Sequence, residues 1–214
     1  MTHQLFHKCG EEFLLHTERV ILWPRTNSLI AADLHFGKDA WFRRQGIAVP
    51  SGNTDLDLHR LSLLIEAYSV RRLILLGDIF HQRLSETEPF HQAFDSWRQR
   101  HPQVKIIGII GNHDRHGALT LFSDIIQWCA HWQEGPFLFS HEPIEHEQHY
   151  VLAGHLHPVI HLRAASDRIS APVFWFRKHY GVLPSFGSLT GGHPIRPDKN
   201  DNVFIVGPTQ VTLL

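Results

Sequence analysis

Five apolar runs recur along the chain, and each stops abruptly on Asp, Asn or His. In Arg72-Leu-Ile-Leu-Leu-Gly-Asp78 four aliphatic residues precede Gly77-Asp78, the pattern of a short strand buried on both faces. The same event recurs in Ser28-Leu-Ile-Ala-Ala-Asp33-Leu-His35 and in Lys105-Ile-Ile-Gly-Ile-Ile-Gly-Asn112-His113-Asp114. It recurs again in Pro136-Phe-Leu-Phe-Ser-His141 and Tyr150-Val-Leu-Ala-Gly-His155-Leu-His157. If these strand ends lie side by side, their polar side chains converge where ligands bind layered α/β folds, beyond the carboxyl ends of the strands.

The stretches between the runs complete the expected layout. Phe13-Leu-Leu and Val20-Ile-Leu-Trp23 predict a hairpin. Leu58, Leu61, Ile65 and Tyr68 recur at helical spacing, predicting a helix over 54–68 with Asn53 or Thr54 as N-cap. Ser85-Glu-Thr-Glu88 reads as a capping box before a second helix whose buried face is Phe90, Phe94 and Trp97, stopped by His101-Pro102. A third helix is expected over 118–128, and residues 36–52 are long enough for a short helix plus a loop beside the site. Alternating strands and helices imply an α/β fold with parallel strands. From Pro136 onward, short strands at 136–140, 150–153, 159–164, 172–177, 203–206 and 210–214 imply a second, largely antiparallel sheet packed on the first. No repeat, low-complexity tract or linker divides residues 1–214, which read as one domain.

Composition narrows the function. The net charge of -1 argues against nucleic-acid binding through overall charge, though not against local basic patches. Cys9 and Cys129 show no metal or disulfide spacing and read as small buried hydrophobes in a reducing compartment. No stretch approaches the roughly 18 apolar residues that cross a bilayer, and no apolar leader is seen, so a soluble, cytoplasmic protein without membrane partners is expected. The 19 histidines invite a metal hypothesis, since neutral imidazole is both ligand and proton carrier near pH 7. Most of His3, His7, His59, His91, His101, His131 and His146 lie outside any constellation and are expected to be solvated.

The candidate ligands are Asp33, His35, Asp78, Asn112, His141, His155 and His157. Imidazole nitrogen with carboxylate and amide oxygen suits Mn, Fe or Zn better than Ca or Mg. Seven ligands exceed one tetrahedral ion, whereas two divalent ions sharing Asp78 as a bridge would use them all. Such a pair, roughly 3.5 to 4 Å apart, supplies a hydroxide nucleophile and clamps a phosphoryl group. Taken singly, each motif has a bland reading: Gly-Asp as a helix-capping turn, Gly-Asn-His-Asp as a turn through left-handed residues, Gly-His-Leu-His as a strand end. Their joint order is the signal.

Asp-x-His, Gly-Asp, Gly-Asn-His-Asp, a single His and Gly-His-x-His, in that order over residues 33–157, resemble the calcineurin-like metallophosphoesterases. The resemblance implies a four-layer α/β/β/α sandwich of two mixed sheets flanked by helices, with a dinuclear centre at the strand ends. One ion would take Asp33, His35, Asp78 and His157, the other Asp78, Asn112, His141 and His155. His113 would be catalytic, as proton donor to the leaving oxygen or as a clamp on the phosphate. Asp114 would position the loop. The protein phosphatases of the superfamily carry an Asp where this chain has His81; Gly-Asp-Ile-Phe-His81 instead is similar to the double-strand-break repair nucleases, whose added His lies near the metals. Ala-Asp-Leu-His-Phe-Gly-Lys (32–38) and Phe-Arg-Arg-x-Gly-Ile-x-x-Pro-x-Gly (42–52) resemble the bacterial PdeM branch of ligase-associated DNA damage response endonucleases. That branch implies a Mn-dependent phosphodiesterase acting on DNA ends or single strands, with a ligase and a helicase as partners.

DNA contacts are sought among Lys38, Arg43 and Arg44, and among Arg163, Arg168, Arg177, Lys178, Arg196 and Lys199, which face only Asp167 and Asp198 in their segment. Trp41, Phe42, Phe174, Trp175 and Phe176 interleave with them as stacking platforms, unless 173–176 is a core strand and Trp41-Phe42 packs under its loop. His179, Ser188 and His193 are further candidates to line the site. The competing functions are a small-molecule phosphodiesterase or phosphatase and a non-catalytic scaffold on the same fold. Lipid-A pathway hydrolases of the superfamily resemble a pattern with Arg at the position of His113, which counts against that branch.

Overall fold

The computed structural model describes residues 2–81, 89–115, 117–164 and 167–214. The expected capping box at 85–88 and the side chains of Arg163 and Arg168 lie outside the described residues. The first sheet has seven strands in chain order: β1 (His3–Lys8), β2 (Glu11–His16), β3 (Ile21–Trp23), β4 (Ser28–Ala31), β5 (Arg72–Leu75), β6 (Lys105–Ile109) and β7 (Ile126–Cys129). The first four pair antiparallel and β4 through β7 pair parallel. Ala31 sits opposite Leu75, and Leu75 opposite Gly108, so the carboxyl ends of the three central strands are level. That register sends Asp33, Asp78 and Asn112 off the same edge of the core.

The second sheet comprises β8 (Trp132–Glu134), β9 (Phe137–Phe139), β10 (Tyr150–Ala153), β11 (Pro158–Ala164), β12 (Asp167–Phe176), β13 (Tyr180–Val182), β14 (His193–Pro194), β15 (Asn202–Val206) and β16 (Val211–Leu213). Its pairings are mainly antiparallel, but β9, β10 and β13 run parallel at its centre and β14 pairs parallel with β11. His141 and His155 therefore leave adjacent strands at one end.

Three apolar layers hold these sheets. Between them lies an aromatic core that includes Phe13, Trp23, Phe137, Phe139, Phe174 and Phe176. On the outer face of the first sheet, α2 (Asn53–Ala67) and α3 (Pro89–Arg100) bury Leu58, Leu61, Ile65, Phe94 and Trp97 against Leu73, Leu75 and Ile106. On the outer face of the second sheet, Val173, Trp175, Val182 and Val203 pack beneath Ile195 of an extended segment; no helix packs there among the described residues. The result is an α/β sandwich of two mixed sheets. No described helix is long and apolar enough to cross a membrane.

Several local expectations are corrected. The helix expected over 118–128 ends at Leu121, and Ile126–Cys129 is the edge strand β7, where β-branched and aromatic residues extend to pair with β6. The N-cap of α2 is Gly52, in the left-handed region at φ 89°, because Thr54 Oγ1 is engaged by the Gly37 N–H at 3.0 Å. Cys9 is exposed in the β1–β2 turn and Cys129 half-buried, so neither is a buried hydrophobe. His101 is buried against Ser62 Oγ at 2.8 Å instead of solvated. Phe174 and Phe176 point into the core and offer no stacking surface.

Candidate metal centre

Beyond their strands, residues 33–36 and 77–81 run on side by side. The Asp33 N–H donates to the Gly77 carbonyl at 3.2 Å, His35 N–H to Asp78 O at 2.9 Å, Phe36 N–H to Ile79 O at 2.9 Å and His81 N–H to Phe36 O at 3.0 Å. Ile79 and Phe80 are fully buried, with Phe80 stacked on Phe122 at 4.4 Å, so the apolar core anchors Asp78 and His81 from beneath. Asp114 joins this ladder to the loop after β6: its carboxylate accepts the N–H groups of Ile79 (3.0 Å), Phe80 (3.1 Å) and Gly111 (3.0 Å). Burial pushes its carboxyl up to about 6, against the pull of the Gly111 and Phe80 N–H groups.

The candidate ligands share a strained backbone. Asp33, His35, Asp78, His155 and His157 all have positive φ, between 46° and 68°, a region costly for residues with a Cβ. Glycines make the crowding possible. A Cβ on Gly77, at φ +79°, would strike His141 Nδ1, and one on Gly154 would come within 2.7 Å of Asp33 Oδ2.

Among the described residues three sets of donor atoms gather here, each with its atoms within 4.8 Å of one another: Asp33, His35 and His157; Asp78, His141 and His155; and His35, His81 and His113, which shares His35 with the first. His141 Nδ1–H donates to the Leu76 carbonyl at 2.9 Å, which leaves Nε2 a lone pair. That lone pair lies 3.1 Å from His155 Nδ1 and 3.6 Å from Asp78 Oδ2, an arrangement favourable only around a proton or a cation. His35 Nε2 and His157 Nε2 are buried without a hydrogen-bond partner, and His157 Nε2 is 3.4 Å from Asp33 Oδ1. Burial drives His35 far below the ordinary imidazole range, so it stays neutral and able to ligate. This donor set fits divalent cations.

Around it stand His113, His81 and Lys38. His113 Nδ1–H donates to the His81 carbonyl at 2.9 Å, its backbone N–H donates to Asp78 Oδ1 at 2.9 Å, and its Nε2 lies 3.9 Å from Asp78 Oδ2. The His81 ring stacks on His113 at 4.8 Å, meets Trp41 edge-on at 5.0 Å, and places Nδ1 3.3 Å from His35 Nδ1. Burial pushes His81 down to about 4, with Lys38 and His113 adding to the effect. Lys38 opens α1 (Lys38–Arg44) and is half-buried, its ammonium depressed by burial and supported by Asp33 and Asp78.

The chain resembles a crystal structure of the nuclease MPE from Pseudomonas putida, at 34% identity over 99% of this chain and 100% of the other, with a TM-score of 0.87. It belongs to the calcineurin-like metallophosphoesterases. The phosphoesterase Yfce from E. coli aligns at 13% identity over 85% of this chain and 88% of its own, with a TM-score of 0.43. No protein-family model and no curated protein matches the chain.

As a metallophosphoesterase the chain is a hydrolase of phosphate esters that uses divalent metal. Asp33, His35, Asp78, His141, His155 and His157 come together in it, and Asn112 borders the His141 side, in the wall of the same cavity. Of the basic residues sought for substrate, Lys38 reaches the site. Arg43 is tied to Asp39 Oδ2 at 3.1 Å and to the Pro50 carbonyl at 3.2 Å, and Arg44 is exposed on the same helix. Arg177 and Lys178 are not brought to it. Arg177 bonds to the Tyr180 carbonyl, level with the start of β10, whereas His155 follows its end. Its guanidinium is held by Asp198, Asp201 and Tyr180. His179 shares that far end, while Ser188 lies in a cavity wall with His35 and Lys38, and His193 in another with His155 and His157.

Residues 183–187 were missed by sequence reasoning. Leu183 N–H donates to Ala153 O in the second sheet and Phe186 N–H to Ala32 O in the first, both at 2.8 Å, and Ser185 Oγ donates to the Asp33 carbonyl at 2.8 Å. This segment sews the two sheets together beneath the metal centre, and Arg60 anchors it through the Phe186 carbonyl at 3.0 Å. The Leu-Pro-Ser-Phe-Gly run (183–187) is the trace it leaves in the sequence.

Proposed function

We propose that the chain is a Mn-dependent phosphodiesterase cutting DNA, single strands or ends, in DNA repair. The observation that carries the metal chemistry is the facing of His141 Nε2, His155 Nδ1 and Asp78 Oδ2 across a few ångströms with no hydrogen to spare between the first and last. DNA as substrate rests on the likeness to a protein named a nuclease. Asp33, His35, Asp78 and His157 would hold one ion and Asp78, Asn112, His141 and His155 the other. Bound there, two divalent ions supply Lewis-acid charge to the phosphoryl oxygens and a water acidic enough to attack at neutral pH. His113 is left with Nε2 as the nitrogen that hands a proton to the leaving oxygen. Lys38 adds positive charge beside the phosphate, and Trp41 and Phe42, half-buried next to His81, form an aromatic wall for a flanking base.

His81 has a role that its hydrogen bonding defines. A cation on His35 Nε2 requires the His35 proton on Nδ1, whose neighbour at 3.3 Å is His81 Nδ1. His81 is then an acceptor that fixes the orientation of His35, the place often taken by a carboxylate behind a metal-bound histidine. His81→Ala should weaken Mn binding roughly 10- to 100-fold, while His81→Asn, which keeps an acceptor, should restore most of it. Calorimetric Mn titration decides; equal losses in the two variants would remove His81 from this role.

The functional test is hydrolysis, with Mn and with chelator, of bis-p-nitrophenyl phosphate, p-nitrophenyl phosphate and single-stranded DNA in parallel. Metal-dependent cleavage of the diester and DNA is expected. Diester cleavage without DNA cleavage would redirect the reading to a small-molecule phosphodiesterase, and dominant monoester cleavage to a phosphatase.

A further inference from the structure

Beside the metal centre, past the carboxyl ends of β6 and β9, is a cavity of about 420 Å³. Asn112 and His141, two candidate ligands, form part of its wall; Ala130 and Ile144 contribute aliphatic surface, and Arg115, His131 and Glu142 polar groups. Its volume is in the range of small-ligand sites, and its wall combines aliphatic surface with several polar side chains able to orient a ligand. Ile144 keeps 37% of its surface exposed at the rim, apolar area that a bound planar group would cover.

We propose that this cavity is a nucleoside subsite, taking the base and sugar attached to one side of the phosphate at the metal centre. The inference rests on the phosphodiesterase reading for its position and on the cavity for its chemistry. Because Asn112 and His141 belong both to the cavity wall and to the candidate ligand set, the cavity adjoins the place where a phosphate would be held, and one substituent of that phosphate would extend into it. The aliphatic walls receive the faces of a base, which lose water on entry. Arg115 and His131 can donate to base-edge acceptors or to the next phosphate, and Glu142 can accept from an exocyclic amine. A bare phosphate, or a phosphate on a small alkyl group, leaves these walls wet.

The test is calorimetric binding to the Mn-loaded full chain of thymidine 5′-monophosphate, thymidine 3′-monophosphate and inorganic phosphate. At least one nucleotide should bind at least about tenfold tighter than phosphate, the scale of a single base contact. In Ala130→Trp, where an indole is added at an exposed wall position, the ratio of nucleotide to phosphate affinity should fall towards one. Ile144→Asp, which makes the rim polar, should lower the same ratio. Nucleotides that bind no tighter than phosphate, or a ratio unchanged in both variants, would overturn the subsite. Failure of the wild-type chain to hydrolyse any diester, with the nucleotide preference intact, would instead defeat the phosphodiesterase reading and leave the subsite standing.

Discussion

Asp78→Asn should lower phosphodiester hydrolysis by roughly 10³-fold or more while leaving the fold in place. The amide keeps a carbonyl oxygen where Asp78 Oδ1 accepts the His113 N–H at 2.9 Å, so the loop after β6 stays attached. What is lost is the second oxygen and its charge, placed 3.6 Å from His141 Nε2 and 3.9 Å from His113 Nε2. If Asp78 bridges two ions, its replacement weakens both at once, and several kcal/mol of transition-state stabilisation go with them. The sign of the stability effect depends on metal. Asp33 and Asp78 are 0% and 4% exposed, and buried carboxylates without a cation are unfavourable. In chelator the variant should therefore unfold at the same temperature as the wild type or above it. Added Mn should raise the wild-type Tm by linkage and the variant's by much less. Thermal unfolding with and without Mn, beside metal analysis, checks this; equal metal content and equal activity would end the dinuclear model.

The strand-end pattern carried most of the site because it rests on a robust physical signal. A short aliphatic run needs burial on both faces, and the polar residue after it is delivered to the edge of the core, where Asp33 and Asp78 remain buried. That reasoning delivered Asp33, Asp78, Asn112, His141 and His155 to one end of two packed sheets. It was silent on backbone strain, because nothing in Asp-Leu-His or Gly-His-Leu-His reveals that four of these residues adopt positive φ. The cause is tertiary: ladder bonds such as His35 N–H to Asp78 O hold the backbone there. Charge was the least legible feature. Arg177 and Lys178 lie in a basic and aromatic stretch, but which end of a strand they occupy depends on the pairing of β12 with β13, and that pairing takes them away from the metal centre. Phe174 and Phe176 suited a stacking surface or a core equally well until the second sheet supplied the partners that bury them. Lys38 could be placed because it follows Asp33 and His35 within one short loop.

His113→Ala should divide substrates by their leaving groups. Its Nδ1–H is committed to the His81 carbonyl at 2.9 Å, so any proton it exchanges with substrate passes through Nε2, on the Asp78 side. The side chain is 41% exposed, open enough to meet the leaving oxygen from the solvent face of the centre. A DNA alkoxide is a poor leaving group and needs that proton in the transition state. p-Nitrophenolate departs unprotonated and does not. Loss of the imidazole should therefore slow DNA cleavage by roughly 10²- to 10⁴-fold, the usual span for general acid catalysis, and bis-p-nitrophenyl phosphate hydrolysis far less. Steady-state rates of the two substrates with the same Mn-loaded variant give the comparison directly. A parallel loss on both would assign His113 to holding the phosphate, since an electrostatic clamp acts on the phosphoryl oxygens whatever leaves. Metal content measured in the same preparation separates either outcome from collapse of the centre, which Asp78, retained in this variant, should prevent.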